Sequence, residues 1–233
     1  MIITRPREWE RVRAQIADLG ARSVFIMGCG QCATVSDTGG EPEVLAAKAR
    51  LESDGIEVTG WSVGDVACHA GGQRLEVRNH AGEIESADAV LVLACGAGVQ
   101  TMADATSKPV TPGLESVFLG NVVRHGVFEE RCQMCGDCVL DRTAGICPVT
   151  TCPKGLLNGP CGGMWNGMCE VLTDRECTHV AIRRRLEEQH REKATEPLPP
   201  KDYSKKLKPG RVDLRAERAI HGAGGSSRTG EGA

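Results

Sequence analysis

Eight cysteines crowd the stretch from Cys132 to Cys177, in the order Cys132-x2-Cys135-x2-Cys138, Cys147-Pro148, Cys152-Pro153, Cys161, Cys169 and Cys177. Three thiols within seven residues can be aimed from one loop at one inorganic core. Apolar residues are sparse in this stretch, and glycine and proline are frequent, as in Asn158-Gly159-Pro160-Cys161-Gly162-Gly163. Such a segment has little to fold around on its own, and the free energy of metal binding becomes folding free energy.

The remaining residues leave room for a conventional core. A chain of 233 residues accommodates about two domains, at ~100–200 residues each. Aromatic residues make up only 3%, so that core must be built of Val, Leu, Ile and Ala. A net charge of -3 gives no electrostatic footprint for nucleic acid or an anionic membrane. Residues 1–20 show no apolar signal region, and no apolar run reaches the ~20 residues of a membrane span. The expectation is a soluble cytoplasmic protein without membrane insertion. In that reducing setting dense cysteines are ligands more often than disulfides.

Along the chain, Trp9, Val12, Ile16 and Leu19 mark an amphipathic helix closed by Gly20. Residues 23–27 form an apolar run that stops at Gly28-Cys29-Gly30-Gln31-Cys32, too short for a helix and bounded by glycine, hence a buried strand. A helix is expected over residues 42–53, a second strand over 56–61, and a third over 89–94, ending in Cys95-Gly96-Ala97-Gly98. Short strands alternating with helices predict an α/β domain with a small open parallel sheet and crossover helices.

Cysteines follow each of those strands: Cys29 and Cys32 the first, Cys68 the second, Cys95 the third. Ligands of an open parallel sheet collect outside the carboxyl ends of its strands, so four thiols are expected at one edge. Gly28, Gly30, Gly96 and Gly98 beside them would let backbone N–H groups approach sulfur. Two other readings stay open, four independent buried cysteines acting as small hydrophobes and a thioredoxin-like redox pair at Cys29 and Cys32. Neither glycine cluster has the third glycine that a dinucleotide-binding loop needs.

Iron–sulfur and zinc compete for the later thiols. Zinc sites usually take two Cys-x2-Cys knuckles, whereas a run of three at x2 spacing with a more distant Cys-Pro is the ferredoxin combination and favours iron–sulfur. Eight residues separate Cys138 from Cys147 where a ferredoxin has three, so this is no plain ferredoxin repeat. His179 would suit a Cys₃His zinc site, but it and His69 read more simply as helix-start side chains. No Ser-His-Asp arrangement, Cys-His nucleophile or carboxylate pair stands out.

Residues 180–193 predict a charged helix with Val180, Ile182 and Leu186 on its apolar side. The final forty residues, opening Glu196-Pro197-Leu198-Pro199-Pro200, read as an extended arm that either packs on a partner or is inconsequential, followed by a disordered end. The expected organisation is an α/β domain over 1–125, a cysteine-rich domain of little regular structure with a C-terminal helix over 126–193, and arm and tail over 194–233.

Several of these motifs resemble a known family. Gly28-Cys29-Gly30-Gln31-Cys32 with Gly39-Gly40-Glu41, Ala94-Cys95-Gly96-Ala97-Gly98-Val99-Gln100, Arg131-Cys132-x2-Cys135-Gly136-Asp137-Cys138-Val139-Leu140, Gly145-Ile146-Cys147-Pro148, Asn158-Gly159-Pro160-Cys161-Gly162-Gly163 and Cys169-Glu170 are similar to the MetV-type cysteine-rich subunits of methylenetetrahydrofolate reductase. The likeness covers about residues 1–210. In that family the C-terminal region also occurs fused to the reductase. Many members carry a cysteine where this chain has Ser36, although Cys29, Cys32, Cys68 and Cys95 still number four.

The resemblance implies an iron–sulfur electron-transfer subunit without catalytic residues of its own. All twelve cysteines would serve as ligands for up to three 4Fe-4S clusters, with zinc the alternative at one site. Flavin and folate would sit on a flavin-containing reductase partner, and a further electron-donor protein would complete the route. Two other functions remain in play, a zinc-stabilised scaffold for the same reductase and a thiol-based redox sensor.

Overall fold

The computed structural model describes residues 1–191, 196–206 and 208–214. The chain opens with β1 (Ile2–Pro6), α1 (Trp9–Asp18), β2 (Ser23–Cys29), α2 (Cys32–Val35) and α3 (Glu41–Ser53). It continues through β3 (Glu57–Gly64), α4 (Ala70–Asn79), α5 (Ala81–Ser86), β4 (Ala89–Leu93), α6 (Gly96–Ala103) and β5 (Val110–Pro112). Then follow β6 (Leu114–Arg124), β7 (Val127–Cys132), α7 (Pro148–Thr151) and α8 (Thr178–Glu188).

Every residue of β2 and β4 is buried. Such unbroken apolar runs belong to strands covered on both faces by crossover helices. The two pair in parallel at the centre of a sheet of order β3-β2-β4-β5, the α/β architecture expected from the alternating pattern. Val12 and Ile16 pack α1 onto this core, and Val44, Ala47 and Leu51 pack α3. Leu19, assigned from sequence to the apolar stripe of α1, instead caps the helix and is 44% exposed. The second parallel strand also outruns its apolar stretch, because Ser62, Val63 and Gly64 pair with Met27, Gly28 and Cys29. Backbone pairing there carries the strand past residue 61, where side-chain patterning ends.

A second sheet, antiparallel and of order β1-β6-β7, was not legible in the sequence pattern. Ile2 pairs with Leu119 and Pro6 with Leu114, while β6 and β7 form a hairpin that turns with Gly126 at φ 72°. The Thr4 and Thr38 hydroxyls meet at 2.6 Å and tie this sheet to the loop after α2. The last residue of β7 is Cys132, so the sheet delivers the chain directly into the cysteine-rich segment.

That segment has sparse regular structure: α7, two isolated bridges (Trp165 with Met168, Met168 with Glu176), and then α8. Ala144, Ile182 and Leu186, with Ile146 against them, form its small apolar cluster. The C-terminal helix begins at Thr178 and ends at Glu188, short of the expected residue 193, which lies outside the described residues. The expected disordered end likewise falls on residues 215–233, outside those described. The arm at 196–206 packs back on its own chain, with Leu198 buried. Among the described residues no helix is long and apolar enough to cross a membrane.

Candidate metal centre

The first group of thiols sits at the carboxyl edge of the parallel sheet. Cys29 ends β2 and is buried, Cys32 opens α2, Cys68 lies between β3 and α4, and Cys95 is the N-cap of α6 just after β4. Desolvation pushes the Cys68 thiol up from its ordinary value, and charge on Cys95, Cys29 and Cys32 pushes it further. Cys95, Cys29 and Cys32 are therefore each within electrostatic reach of Cys68. Like charge beside Cys68 opposes its ionisation, and a bound cation would reverse that balance.

The glycines beside these thiols do a different job from the one expected. The Cys29 N–H donates to the Gly39 carbonyl (2.9 Å), the Gly30 N–H to Gly64 (2.7 Å) and the Gly96 N–H to the Ser116 hydroxyl (2.9 Å). Those donors are committed to oxygen, not sulfur. Gly28 is needed for packing, since a Cβ there would stand 2.6 Å from the Gly39 carbonyl oxygen and 2.8 Å from a Val44 methyl. Ser36 is buried and donates its hydroxyl to the Cys32 carbonyl at 2.9 Å, which closes α2.

The second group lies on the loop after β7. Met134 and Gly136, both at positive φ (53° and 77°), are the tight bends that separate Cys132, Cys135 and Cys138. The Met134 N–H donates to Cys132 Sγ at 3.2 Å, and the Thr150 hydroxyl to Cys147 Sγ at 3.4 Å. A Gln133 amide bond to the Val149 carbonyl (3.3 Å) brings the three-cysteine loop against α7, whose N-cap is Cys147. A backbone hydrogen bond at Asp137 holds the Cys135 thiol below its ordinary value against a partly opposing desolvation, and the Lys201 ammonium adds to the depression.

The third group, Cys152, Cys161, Cys169 and Cys177, lines one small, partly open cavity of about 20 Å³ together with Met164 and His179. Around it, Cys161 Sγ lies 3.6 Å from a Glu170 carboxylate oxygen that also pairs with Lys154, and the Leu172 N–H points at Cys169 Sγ (3.5 Å). His179 Nε2 donates to the Leu156 carbonyl at 3.0 Å, and burial pushes its imidazole pKa down. His69 is the N-cap of α4 and accepts the Gly72 N–H on Nδ1. Both histidines thus have helix-start roles, although His179 also borders the cavity.

Of the eight later cysteines, Cys152, Cys161, Cys169 and Cys177 border one cavity, and the loop that carries Cys132, Cys135 and Cys138 meets α7 through Gln133 and Val149. Among the described residues no three His, Cys, Asp or Glu side chains converge at metal-ligating distance. Three polar residues beside the thiols escaped sequence reasoning: Lys154, Glu170 and Lys201. Glu170 stands in the Cys169-Glu170 motif, which gives it no role from sequence, and nothing local to Lys201 announces that the arm carries it back to Cys135.

Residues 111–204 match a family model described as methylene-tetrahydrofolate reductase C terminal. The match takes in β6, β7, all eight later cysteines, α8 and most of the arm, less than half of the chain. Cys29, Cys32, Cys68 and Cys95 lie outside it, so the likeness expected over 1–210 has family-model support for its C-terminal part alone. No curated protein matches the chain.

Proposed function

We propose that the chain is the MetV-type iron–sulfur subunit of a methylenetetrahydrofolate reductase, relaying electrons to or from the flavin of a separate catalytic subunit. The observation that carries this reading is that Cys152, Cys161, Cys169 and Cys177 border one cavity inside the segment that matches the reductase family model, while Cys95, Cys29 and Cys32 each act electrostatically on Cys68 at the sheet edge. Thiolates in sets of four are the donor set of a 4Fe-4S centre. The residues fit the group chemically: Cys29, Cys32, Cys68 and Cys95 would hold one centre, and Cys132, Cys135, Cys138 and Cys147 a second. When bound, such centres supply single-electron transfer.

The chain's own part is to hold and shield. Met134 N–H and the Thr150 hydroxyl donate to two candidate ligand sulfurs, those of Cys132 and Cys147. Lys201 sets positive charge beside Cys135. The neighbouring backbone donors at Cys29, Gly30 and Gly96 are spent on oxygen acceptors at the sheet edge.

One observation favours zinc at the third group. A cavity of about 20 Å³ has room for roughly one water-sized sphere, which suits a single ion better than a four-iron cluster. Cys152, Cys161, Cys169 and Cys177 would then hold a structural zinc.

Anaerobic purification followed by iron, acid-labile sulfide and zinc analysis tests the reading. The expected product is brown, contains iron and sulfide in equal amounts, and bleaches with dithionite. A colourless protein with stoichiometric zinc would make it a scaffold subunit. A metal-free protein with a reversible Cys29–Cys32 disulfide would make it a thiol sensor.

A further inference from the structure

The arm beyond α8 crosses the cysteine-rich segment and is anchored at several points. Asn158 grips it through two bonds to Leu198, its Nδ2 donating to the Leu198 carbonyl (2.9 Å) and its Oδ1 accepting the Leu198 N–H (2.8 Å). Arg142 donates to the Glu196 carbonyl (3.2 Å), the Asp202 N–H to the Asp137 carboxylate (3.3 Å), and Lys206 Nζ to the Gln133 carbonyl (3.0 Å). Between these contacts Lys201 donates its ammonium to the Asp137 carbonyl and also reaches the Cys135 sulfur. A half-buried lysine is thus fixed on the Cys132-x2-Cys135-x2-Cys138 loop by a segment some sixty residues later in the chain.

Resting on the cluster reading above, we infer that Lys201 is a positioning residue that raises the reduction potential of the centre held by Cys132, Cys135, Cys138 and Cys147. The physical basis is charge. Reduction adds one electron to the centre and breaks no bond, so the reduced form carries one more negative charge than the oxidised form. A fixed cation beside a ligand sulfur stabilises the more negative form, and net charge and sulfur hydrogen bonding are the levers by which a protein sets such potentials. The third group differs, because its neighbouring ammonium, Lys154, is paired with the Glu170 carboxylate, which offsets its charge.

The test is a potentiometric titration of the full chain, purified anaerobically, with dithionite as reductant and paramagnetic resonance as readout, for wild type, Lys201→Met and Lys201→Arg. Lys201→Met is expected to move one redox wave to lower potential, with the reduction equilibrium falling about tenfold, ~59 mV for a one-electron couple. The other waves stay in place, iron and sulfide contents match wild type, and Lys201→Arg restores the wave. An unmoved wave in an iron-replete variant, a common displacement of all waves, an equal shift in Lys201→Arg, or iron loss from Lys201→Met would each overturn the role of Lys201. Wild type lacking iron and acid-labile sulfide would instead remove the cluster reading and this inference with it, an outcome distinct from all of these.

Discussion

Replacing Asn158 with alanine should release the arm from the cysteine-rich segment without touching a thiol. The side chain makes two hydrogen bonds to the Leu198 backbone, at 2.9 and 2.8 Å, in partly buried surroundings. A net ~0.5–1.5 kcal/mol for each gives roughly 1–3 kcal/mol, which multiplies the undocked population about 5- to 150-fold. Loss of the bonds also leaves the Leu198 N–H and carbonyl without these partners where Leu198 is buried, which puts the effect toward the upper half of that range. Limited trypsinolysis reads the population directly, because Lys201 must leave the Asp137 carbonyl before it can enter a protease, and cleavage tracks the open fraction when reclosing is fast. Mass spectrometry should show cleavage after Lys201 accelerated by that factor, while sites in the parallel sheet are unaffected. An unchanged rate at Lys201 would mean that Arg142, Lys206 and the Asp137 contacts hold the arm alone, and the clamp assigned to Asn158 would be refuted.

Two further outcomes follow from the parallel-sheet core. A Cβ added at Gly39 would lie 2.1 Å from the Leu93 carbonyl oxygen and 2.9 Å from the Ala33 Cβ, so Gly39→Ala should destabilise by about 1–3 kcal/mol or more. Gly82→Ala, in helix α5 where a Cβ meets nothing within 4 Å, should stabilise by up to ~1 kcal/mol, and equal melting temperatures for the two variants would contradict the packing argument. Asp88 accepts the N–H groups of Arg22 (2.8 Å) and Ser23 (2.9 Å) and the Ser23 hydroxyl (3.1 Å), and these bonds, that of Arg22 first, hold its carboxyl below the usual carboxylate range. A depressed carboxyl adds stability at pH values above its unfolded pKa of ~3.9 and loses it as pH falls through the folded value. The melting-temperature gap between wild type and Asp88→Ala should accordingly be widest near neutrality and close below about pH 3.9; a gap that stays constant into stronger acid would argue against the linkage.

Where side-chain chemistry is locally one-sided, the fold could be read in advance. Residues 24–27 and 89–94 are apolar without interruption, and both lie in central strands, as suits runs covered on both faces. The position of Cys29, Cys32, Cys68 and Cys95 at or after the ends of β2, β3 and β4 followed from the same strand pattern. The antiparallel sheet was missed because its strands are mostly exposed and their alternation is faint, with Val117, Val122, Val123 and Val127 all at the surface. The His125-Gly126 pair between Val122-Val123 and Val127-Phe128 was the available signal. Helices α4 and α5 were hidden by Gly71, Gly72 and Gly82, and by a buried polar residue, Gln73, whose amide lies 2.9 Å from the Met102 sulfur. The donor assignments at Gly30 and Gly96 depended on which oxygen arrived nearby, Gly64 carbonyl or Ser116 hydroxyl, and no local pattern carries that information. The same holds for Lys201, whose role comes from contacts to Asp137 and Cys135 formed by a returning chain.

The pairing of Ile2 with Leu119 also sets a schedule for synthesis. At ~5–20 residues per second, the first strand waits on the order of 6–24 s for its partner to be translated. All four sheet-edge cysteines, up to Cys95, are made before β6 begins at Leu114. The nascent chain can therefore present a complete first set of thiols while β1 is still unpaired. The antiparallel ribbon closes only later, as the segment bearing the other eight emerges.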